Sequence, residues 1–195
     1  MWNTRYAEAF TAYGTEANDF LRAVAGQIPP GPVLVLAAGE GRDAVFLAER
    51  GHAVTAIDLS EVAMRHAAML AEQRQVELTT LVADLATFDY GESRWAGIVS
   101  TFAHLPPPVR RQVHAACVRA LKPGGAFVLE AYAPAHLERP GKGGPPMVEL
   151  LLDPETARRE LKGLRLGLCQ QVQREVAEGR DHSGPSTTTQ VLGFR

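Results

Sequence analysis

Cysteine is scarce in this chain, and the patterns that mark disulfide-rich, metal-binding or membrane proteins are missing. The 195 residues include two cysteines, Cys117 and Cys169, which stand far apart and outside any CxxC or histidine-rich spacing. This distribution argues against a disulfide framework or a zinc site, so no bound metal is predicted and both thiols are expected in the core. No apolar run approaches the roughly 18 residues of a membrane span, and early charged residues such as Arg5 and Glu8 are unlike a signal peptide. We therefore expect a cytoplasmic protein with no membrane partner.

An excess of charge of one sign is also absent. The chain's 20 lysines and arginines face 22 aspartates and glutamates, which gives a formal net charge of −2 at pH 7. Because binding to phosphate backbones relies on a strongly basic surface, a nucleic-acid partner is not expected. A chain of this length can bury one sizeable core but is short for two ordinary domains. Residues 1–195 are therefore interpreted as a single domain.

Apolar runs of strand length alternate with helical segments along most of the chain, which is the pattern of a sheet wound from βα units. The region 133–146 is rich in proline and glycine and predicts a loop over one edge of the sheet. A helix is expected to begin near Pro154, and the extended segments Leu164–Val176 and Thr187–Phe194, joined by EGRDHSGPS, predict a long β-hairpin. The earlier strands are predicted at Val33–Ala37, Ala53–Ile57, Glu77–Val82, Gly97–Thr101 and Ala126–Tyr132, and the helices between them at Asp43–Arg50, Glu61–Gln75 and Pro107–Leu121.

The run VLVLAAGEGRDA, residues 33–44, joins a strand to a helix through a loop of small residues. Its first four residues lack polar alternation, which is typical of a central parallel strand buried on both faces. Ala37, Gly39 and Gly41 would let the backbone approach a ligand, because small side chains remove the steric barrier and glycine tolerates positive φ. Unpaired N–H groups at the start of the following helix favour polar or anionic ligand atoms. The run therefore predicts a cofactor-binding turn.

Acidic residues follow the second and third predicted strands. Asp58 lies about 20 residues beyond the start of the glycine loop, the spacing at which a carboxylate commonly accepts hydrogen bonds from ribose hydroxyls. An alternative is that Asp58 only caps the helix that starts near Ser60. Asp84 would meet an adenine amino group, directly or through its neighbouring backbone, or else is an ordinary loop aspartate. Since Gly39–Ala44 fits the G-x-G-x-x-G/A pattern, the loop alone leaves NAD and other adenosine cofactors open.

The segments downstream of the glycine loop resemble one family. A helix that stops at Lys-Pro-Gly-Gly and is followed at once by a strand, in LKPGGAFVLE, is similar to the fifth βα boundary of class I S-adenosylmethionine-dependent methyltransferases. The terminal hairpin resembles the strand pair that ends their seven-stranded sheet. The segments WNTRYAEAFTAYGTEANDFL, AAGEGRDAVFLAERGHAVTAIDLS and STFAHLPPPVRR further resemble the TehB-like branch of tellurite-resistance methyltransferases, a branch related to thiopurine methyltransferases. The resemblance covers nearly the whole chain.

This resemblance implies a Rossmann-like, doubly wound α/β fold, with a seven-stranded, mostly parallel sheet of order 3-2-1-4-5-7-6 and an antiparallel C-terminal strand. Residues 1–30 would form an N-terminal helical lid, residues 31–133 the cofactor-binding core, and residues 134–195 an acceptor-side loop, helix and terminal hairpin. Two positions depart from the family pattern. Val35 replaces an acidic residue often placed within the first strand, and Ala37 replaces the first glycine of the loop, so the polar contacts near the methionine part of the cofactor stay open.

The resemblance also implies S-adenosylmethionine as the cofactor and a set of residues that hold it. The end of the fourth strand would lie beside the sulfonium, and Arg5, Tyr6 and Tyr13 of the lid would bind the carboxylate or cover the methionine chain. Tyr13 with Gly14 is also compatible with a simple packing turn. The implied cofactor contacts are Arg5, Tyr13, Ala37, Gly39, Glu40, Gly41, Asp58, Leu59, Asp84, Leu85, Ser100, Thr101 and Phe102.

The implied activity is methyl transfer to a small-molecule acceptor, either a tellurium or selenium oxyanion, its reduced form, or a thiol. In-line transfer from a sulfonium relies on alignment and on exclusion of water, so a thiolate or a reduced chalcogen needs no general base. A hydroxyl or protonated amine needs one, and His104, after the fourth strand, is the candidate. Its alternative role is to cap the loop before Pro106.

Acceptor contacts are predicted in two loops. Arg139 and Lys142 belong to the RPGKGGPP loop, which would close over an anionic acceptor or else is a plain surface loop. The sixth strand is expected to run parallel to the first five, so Arg180 and His182 after it would reach the acceptor mouth, unless the hairpin is wholly solvated. The segment AGIVSTFAHLP lacks the Asn/Asp-Pro-Pro-aromatic motif associated with base methylation, which disfavours DNA as the acceptor. An NAD-dependent oxidoreductase and a non-catalytic cofactor-binding module are the alternative functions.

Overall fold

The computed structural model describes residues 3, 6, 13–138, 141, 143–179 and 182–195. Four residues with predicted site roles, Arg5, Arg139, Lys142 and Arg180, lie outside the described residues. Within the described ranges, strands and helices alternate in the predicted order up to the fifth strand, and a hairpin ends the chain. Among the helices of these ranges, none combines the length and the hydropathy of a membrane span.

Seven strands of the described chain form one sheet: β1 Pro32–Leu36, β2 Ala53–Asp58, β3 Thr79–Val82, β4 Trp95–Thr101, β5 Leu121–Tyr132, β6 Arg165–Ala177 and β7 Ser183–Phe194. Their order is β3-β2-β1-β4-β5-β7-β6, which confirms the prediction. Strands β1 to β5 are parallel, whereas β7 is antiparallel to both β5 and β6. Strand β6 consequently runs in the direction of β1 to β5, so the turn after it lies at the carboxyl edge of the parallel strands.

Helices flank both faces of the sheet. Helix α3, Glu61–Gln73, is capped by Ser60, whose hydroxyl oxygen accepts a hydrogen bond from the Ala63 N–H at 3.2 Å. Helix α4, Pro107–Ala120, begins with two prolines, whose missing N–H groups cost little in a first turn. The α-helices of the described residues are α1 Asp19–Val24, α2 Arg42–Glu49, α3 Glu61–Gln73, α4 Pro107–Ala120 and α5 Pro154–Glu160.

Alternate residues of β1 face opposite layers of helices, which makes the sheet doubly wound. Val33 and Val35 pack in one cluster with residues of α1, α2 and α3, whereas Leu34 and Leu36 pack in another with residues of α4 and α5. All four side chains are at most 1% exposed. The prediction of a central strand buried on both faces is therefore confirmed, and Val35 occupies an apolar layer.

The boundary between α4 and β5 differs from the prediction. Strand β5 begins at Leu121, directly after the helix, and Leu121 pairs with Trp95. The pairing then shifts, so that Ala126 lies opposite Gly97 and residues 122–125 bulge out between the two pairs. The Lys-Pro-Gly-Gly segment is therefore a bulge within a strand and not a free turn.

Two further expectations need correction at the surface of the sheet. Strand β3 begins at Thr79 and not at Glu77, because it is a short edge strand paired only with β2. Cys117 is buried on α4 as predicted, but Cys169 is only partly buried on β6. Its thiol contacts the carbonyl oxygen of Pro154 at 3.4 Å, at the start of α5.

Candidate functional site

The carboxyl ends of β1 to β4 open into one cleft with a volume of about 720 Å³. Open α/β sheets bind ligands at this edge, at the point where the strand order reverses, which here lies between β1 and β4. The volume falls within the range of about 300–1,000 Å³ that is usual for small-molecule sites. Loop residues 143–147 and His182, after β6, complete the wall.

The loop after β1 turns tightly beneath the cleft. Ala37, Gly39 and Gly41 have φ values of +46°, +53° and +87°, so alanine at position 37 adopts a conformation that favours glycine. A Cβ at Gly39 would lie 2.9 Å from the Tyr6 hydroxyl, so the glycine lets this tyrosine lie directly on the loop. A Cβ at Gly41 would lie 2.6 Å from the Ala67 Cβ, so Gly41 serves the packing of α2 against α3.

Asp58 ends β2 at the cleft with 7% of its surface exposed. One carboxylate oxygen accepts the Gly39 N–H at 2.9 Å, and the other accepts the Ser60 N–H at 2.9 Å. Because Ser60 caps α3, the alternative in which Asp58 is the cap is wrong. Burial raises the pKa of Asp58, and the backbone donors oppose this shift. The carboxylate thus joins the glycine loop to the start of α3 at the surface of the cleft.

The cleft beyond Asp58 is partly apolar. Leu59 lines it with 59% of its surface exposed, and Leu85 lines it after β3. A flat apolar group bound there would remove Leu59 from water, which is favourable. Asp84 also lines the cleft, and its carboxylate accepts the Ala86 N–H at 2.9 Å. Asp84 therefore stabilises its own loop while it remains accessible to a ligand.

The start of α2 carries the charged pair Arg42 and Asp43. The Asp43 carboxylate accepts the Asn18 N–H at 2.7 Å and the Thr101 hydroxyl at 2.5 Å. Arg42, which precedes it, forms an ion pair with Glu178 after β6. With histidines neutral, the described cleft residues carry one positive formal charge on Arg42 and four negative charges, a balance of −3; the acids are Glu40, Asp43, Asp58 and Asp84.

Five side chains, which we call the ring cluster, meet at the other end of the cleft: Tyr13, Phe102, His104, Tyr132 and His182. The Phe102 ring centroid lies 4.8 Å from that of Tyr132 and 4.7 Å from that of His182. His182 also lies 4.7 Å from Tyr13, and His104 is stacked on Tyr132 at 5.6 Å. These separations are typical of favourable aromatic pairs. Phe102 has a φ of +52°, a left-handed conformation at the end of β4.

His104 is a half-buried histidine in this cluster, and its ring is neutral at pH 7. Both of its ring nitrogens are shielded from water, and neither has a hydrogen-bond partner among the described residues. Burial lowers the pKa of His104 to about 4, and a contact with the Leu150 backbone opposes this shift. Both roles of His104, the base and the cap of the loop before Pro106, therefore stay predictions.

Most of the predicted site residues meet at this cleft. Ser100 does not, because it is buried within β4 at 6% exposure, and Gly41 packs between helices instead. Neither belongs to the cleft surface. The predicted residues that line the cleft are Tyr6, Tyr13, Ala37, Gly39, Glu40, Asp58, Leu59, Asp84, Leu85, Thr101, Phe102, His104 and His182.

Sequence reasoning missed Tyr132 and the part of the glycine-rich loop that covers it. Tyr132 ends β5 and is fully buried. Gly144 has a φ of +73°, and a Cβ there would lie 2.9 Å from the Tyr132 ring. Glycine thus lets the loop lie directly on the ring. The glycine itself was a readable signal of close approach, but the sequence does not identify the ring that it approaches.

Comparisons with known proteins agree with this geometry. Residues 33–125, from β1 to the bulge in β5, match the family described as a methyltransferase domain. A curated relative, 2-heptyl-1-hydroxyquinolin-4(1H)-one methyltransferase of Mycobacteroides abscessus, is 33% identical over 102 residues. The match covers 51% of this chain and 45% of the relative, so the chain spans about half the length of the curated relative that it matches.

Solved structures share the whole fold at low sequence identity. TehB from Haemophilus influenzae has a TM-score of 0.75 at 16% identity, with coverage of 100% of this chain and 67% of that one. The 1,6-didemethyltoxoflavin-N1-methyltransferase of Burkholderia thailandensis, solved with 1,6-didemethyltoxoflavin and S-adenosylhomocysteine, has a TM-score of 0.65 at 23% identity, with coverage of 90% and 74%. At these identities the likeness concerns the fold.

Proposed function

Because this chain carries a methyltransferase domain of the class I S-adenosylmethionine-dependent fold, we propose that it transfers a methyl group from that cofactor to a small-molecule acceptor. The observation that carries this proposal is the cleft itself. It combines a tight glycine loop, a buried carboxylate on the neighbouring strand and a charged helix start, with a separate cluster of rings beyond them. One end suits a charged nucleoside cofactor, and the other suits an acceptor.

The charge of the cleft supports a cationic cofactor over a dinucleotide. S-adenosylmethionine carries a net positive charge from its sulfonium and ammonium groups, whereas NAD carries a pyrophosphate with two negative charges. A pyrophosphate favours free N–H groups and positive potential at a helix N-terminus. The corresponding position of α2 carries Asp43 next to Arg42, whose charge is matched by Glu178, and Glu40 lies beside them on the cleft. An NAD-dependent oxidoreductase therefore has no support from this site.

Separate parts of the cleft fit separate parts of the cofactor. The buried Asp58 carboxylate would accept hydrogen bonds from ribose hydroxyls, and the exposed Leu59 would cover the adenine, with Asp84 and Leu85 at its edge. Tyr6, whose hydroxyl lies against Gly39 of the glycine loop, would cover the methionine chain together with Tyr13. When bound, the cofactor supplies a methyl group on a positively charged sulfur, which is a strong electrophile.

The acceptor end favours a flat, uncharged molecule. Four rings of the cluster, Tyr13, Phe102, His104 and His182, line this end and can stack on an aromatic acceptor, with Tyr132 buried behind them. Among the described cleft residues, Arg42 is paired with Glu178, which matches its charge. His104 is neutral at pH 7, so neither Arg42 nor His104 supplies a free cation for an oxyanion. We therefore put an aromatic thiol or hydroxyl compound ahead of a tellurium or selenium oxyanion. The name of the Mycobacteroides abscessus relative, which specifies a hydroxyquinolinone, supports this order.

His104 would accept the proton that the acceptor loses. As an acceptor oxygen or sulfur gains a methyl group, its remaining proton becomes far more acidic. A weakly basic imidazole therefore suffices, and both nitrogens of His104 lack a partner among the described residues. The rings around it would hold the acceptor in line and exclude water, which supplies much of the acceleration in such reactions.

Methyl transfer from isotopically labelled S-adenosylmethionine tests the proposal. The purified chain is incubated with arylthiols, hydroxyquinolines, selenite and tellurite, and the products are measured by mass spectrometry. We expect label in an aromatic thiol or hydroxyl compound and none in the oxyanions. Label in the oxyanions alone would reverse the acceptor assignment. Cofactor binding without turnover of any acceptor would favour a non-catalytic module.

A further inference from the structure

Glu178 stands at the start of the turn that carries His182 into the cleft. Its N–H donates to the His182 carbonyl oxygen at 2.9 Å, which closes the turn between β6 and β7. The His182 ring in turn contacts Tyr13 and Phe102 in the ring cluster. The position of this acceptor-side ring therefore depends on where Glu178 is held.

The Glu178 carboxylate is bound by three side chains from separate parts of the chain. It forms an ion pair with Arg42, the first residue of α2. It also accepts hydrogen bonds from Arg174 at 2.5 Å and from the Asn18 amide at 3.0 Å. Glu178 thus connects β6, the segment before α1 and the helix that follows the glycine loop.

The buried carboxylates of this network are matched by arginines, and Arg174 pairs in addition with the exposed Asp19 at 3.2 Å. Glu130 on β5 is fully buried and accepts from Arg174 at 2.8 Å and from the Asn18 amide at 2.5 Å. Two arginines, Arg42 and Arg174, thereby face two glutamates, Glu130 and Glu178. Burial alone would raise the pKa of Glu178, but the charges of Arg42 and Arg174 hold this pKa below its ordinary value. A buried carboxylate with this many charged partners has a fixed position.

A second contact joins the turn to the N-terminal segment. Gly179 has a φ of +92°, and a Cβ there would collide with the backbone of Tyr13 and Gly14. The two backbones therefore touch directly beside the ion pair. Tyr13 and Gly14 line the cleft together with His182, so the turn and the segment form one wall.

We infer that Glu178 is a positioning residue, whose carboxylate fixes the turn after β6 to Arg42 and Asn18 and so holds the cofactor side and the acceptor side of the cleft as one unit. Glu178 is not part of the cleft surface and acts through these partners. The inference deepens the proposed function and rests on it for the choice of S-adenosylhomocysteine as the probe.

Hydrogen exchange of the full chain, with and without S-adenosylhomocysteine, tests this role in the Glu178→Gln variant. Without ligand, we expect faster exchange in segments 13–18 and 176–179 together than in the wild type. With ligand, we expect the wild type to protect both segments and the variant to lose protection of 176–179. The dissociation constant should rise about tenfold, which is an ordinary size for coupling between neighbouring sites.

Glu160→Gln is the matched control, because Glu160 is also a buried carboxylate paired with an arginine, Arg110. It should destabilise the fold but leave exchange of segment 176–179 and the affinity for S-adenosylhomocysteine unchanged. Wild-type exchange in Glu178→Gln, or the same local changes in both variants, would overturn the inference. Failure of the wild type to bind the probe would overturn the proposed function alone, because the comparison without ligand still tests Glu178.

Gly179→Ala provides a second route if Glu178→Gln does not fold. It keeps every charge and separates the turn from Tyr13 and Gly14, so we expect the same loss of joint protection. Gly124→Ala is its control, since Gly124 has a φ of +78° but open space around it. If segments 13–18 and 176–179 are still protected together from hydrogen exchange in Gly179→Ala, the inference is contradicted.

Discussion

Two residues at the mouth of the cleft have left-handed backbone conformations that non-glycine residues seldom adopt. Ala37 begins the turn after β1 with a φ of +46°, and Phe102 directly follows β4 with a φ of +52°. Such conformations cost about 1–2 kcal/mol in a non-glycine residue and cluster at functional sites. The Phe102 N–H donates to the Glu130 carbonyl oxygen at 2.7 Å, which offsets part of this cost. The conformation brings the Phe102 ring to Tyr132 and His182.

Replacement of Asp58 by alanine should weaken cofactor binding. The carboxylate would accept hydrogen bonds from ribose hydroxyls, and it accepts one from the Gly39 N–H. Its loss would leave these buried donors unpaired, at a cost of about 1–3 kcal/mol. Calorimetry with S-adenosylhomocysteine measures the change. Asp89→Ala, which removes an exposed loop carboxylate bound to the Gly91 N–H, is the control. Unchanged affinity in a folded Asp58 variant would remove this residue from the site.

Replacement of His104 by phenylalanine keeps a ring in the cluster and removes the base. For an acceptor that must lose a proton, kcat should fall about 100-fold, the low end of the range for general bases. Affinity for S-adenosylhomocysteine should not change. His52→Phe, outside the cleft, is the matched control and should keep wild-type turnover. Full activity of His104→Phe with a hydroxyl acceptor would show that no base acts here.

The pH dependence of kcat/KM separates His104 from an ordinary histidine. Since burial lowers the pKa of His104 to about 4, its neutral form persists as the pH falls through the range in which free histidine, with a pKa of about 6.5, becomes charged. We expect the acidic limb assigned to His104 near pH 4, measured on samples that remain folded by circular dichroism. An acidic limb of the kcat/KM profile near the ordinary histidine pKa, if it disappears in His104→Phe, would contradict the lowered pKa of His104.

At the scale of elements, α4 and α5 are joined by a buried ion pair beside the acceptor end. Arg110 on α4 donates to Glu160 on α5 at 3.0 Å and to the Glu149 carbonyl oxygen at 3.1 Å. The Glu160 side chain is 3% exposed. Burial alone would raise the pKa of Glu160, but His114 and Arg110 hold this pKa below its ordinary value. The pair therefore fixes α4 and α5 to each other and to the Glu149 backbone.

Glu160→Gln should lower the free energy of unfolding by about 3–5 kcal/mol, because it leaves a buried arginine without its anion. Urea unfolding measures the loss, and Glu61→Gln, in an exposed pair with Arg65, should cost only about 0.2–0.5 kcal/mol. A carboxylate with a lowered folded pKa stabilises the fold above its unfolded pKa, about 4.3 for glutamate, and loses this effect as the pH falls through the folded value. The wild type should therefore lose stability below about pH 4.3 more steeply than Glu160→Gln. Equal slopes would remove Glu160 from the acid response.

The elements show where sequence patterns were sufficient. The apolar run Val33–Leu36 predicted a central strand because burial on both faces leaves no polar alternation. The direction of β6 was predicted from the strand order that the family resemblance implies, and His182 after it lines the cleft. The bulge at residues 122–125 was missed, because it depends on the register between β4 and β5, which the local pattern does not encode.

At the scale of the whole molecule, the cofactor end of the cleft was more predictable than the acceptor end. Asp58 and Gly39 follow neighbouring strands at one edge, so the parallel topology alone brings them together. The ring cluster combines Tyr13, Tyr132 and His182, which stand far apart in sequence and meet only through the finished fold. No periodicity relates such residues. The network of Glu178 was missed for the same reason.

The molecule as a whole presents a negatively charged cleft to its cofactor, and this is the central claim to test. The most direct measurement is a calorimetric titration of the wild-type chain with S-adenosylhomocysteine, S-adenosylmethionine and NAD under identical conditions. We expect one-to-one binding of the two sulfur nucleosides and no measurable heat with NAD. Binding of NAD without binding of either sulfur nucleoside would contradict the proposed methyl transfer and restore the oxidoreductase alternative.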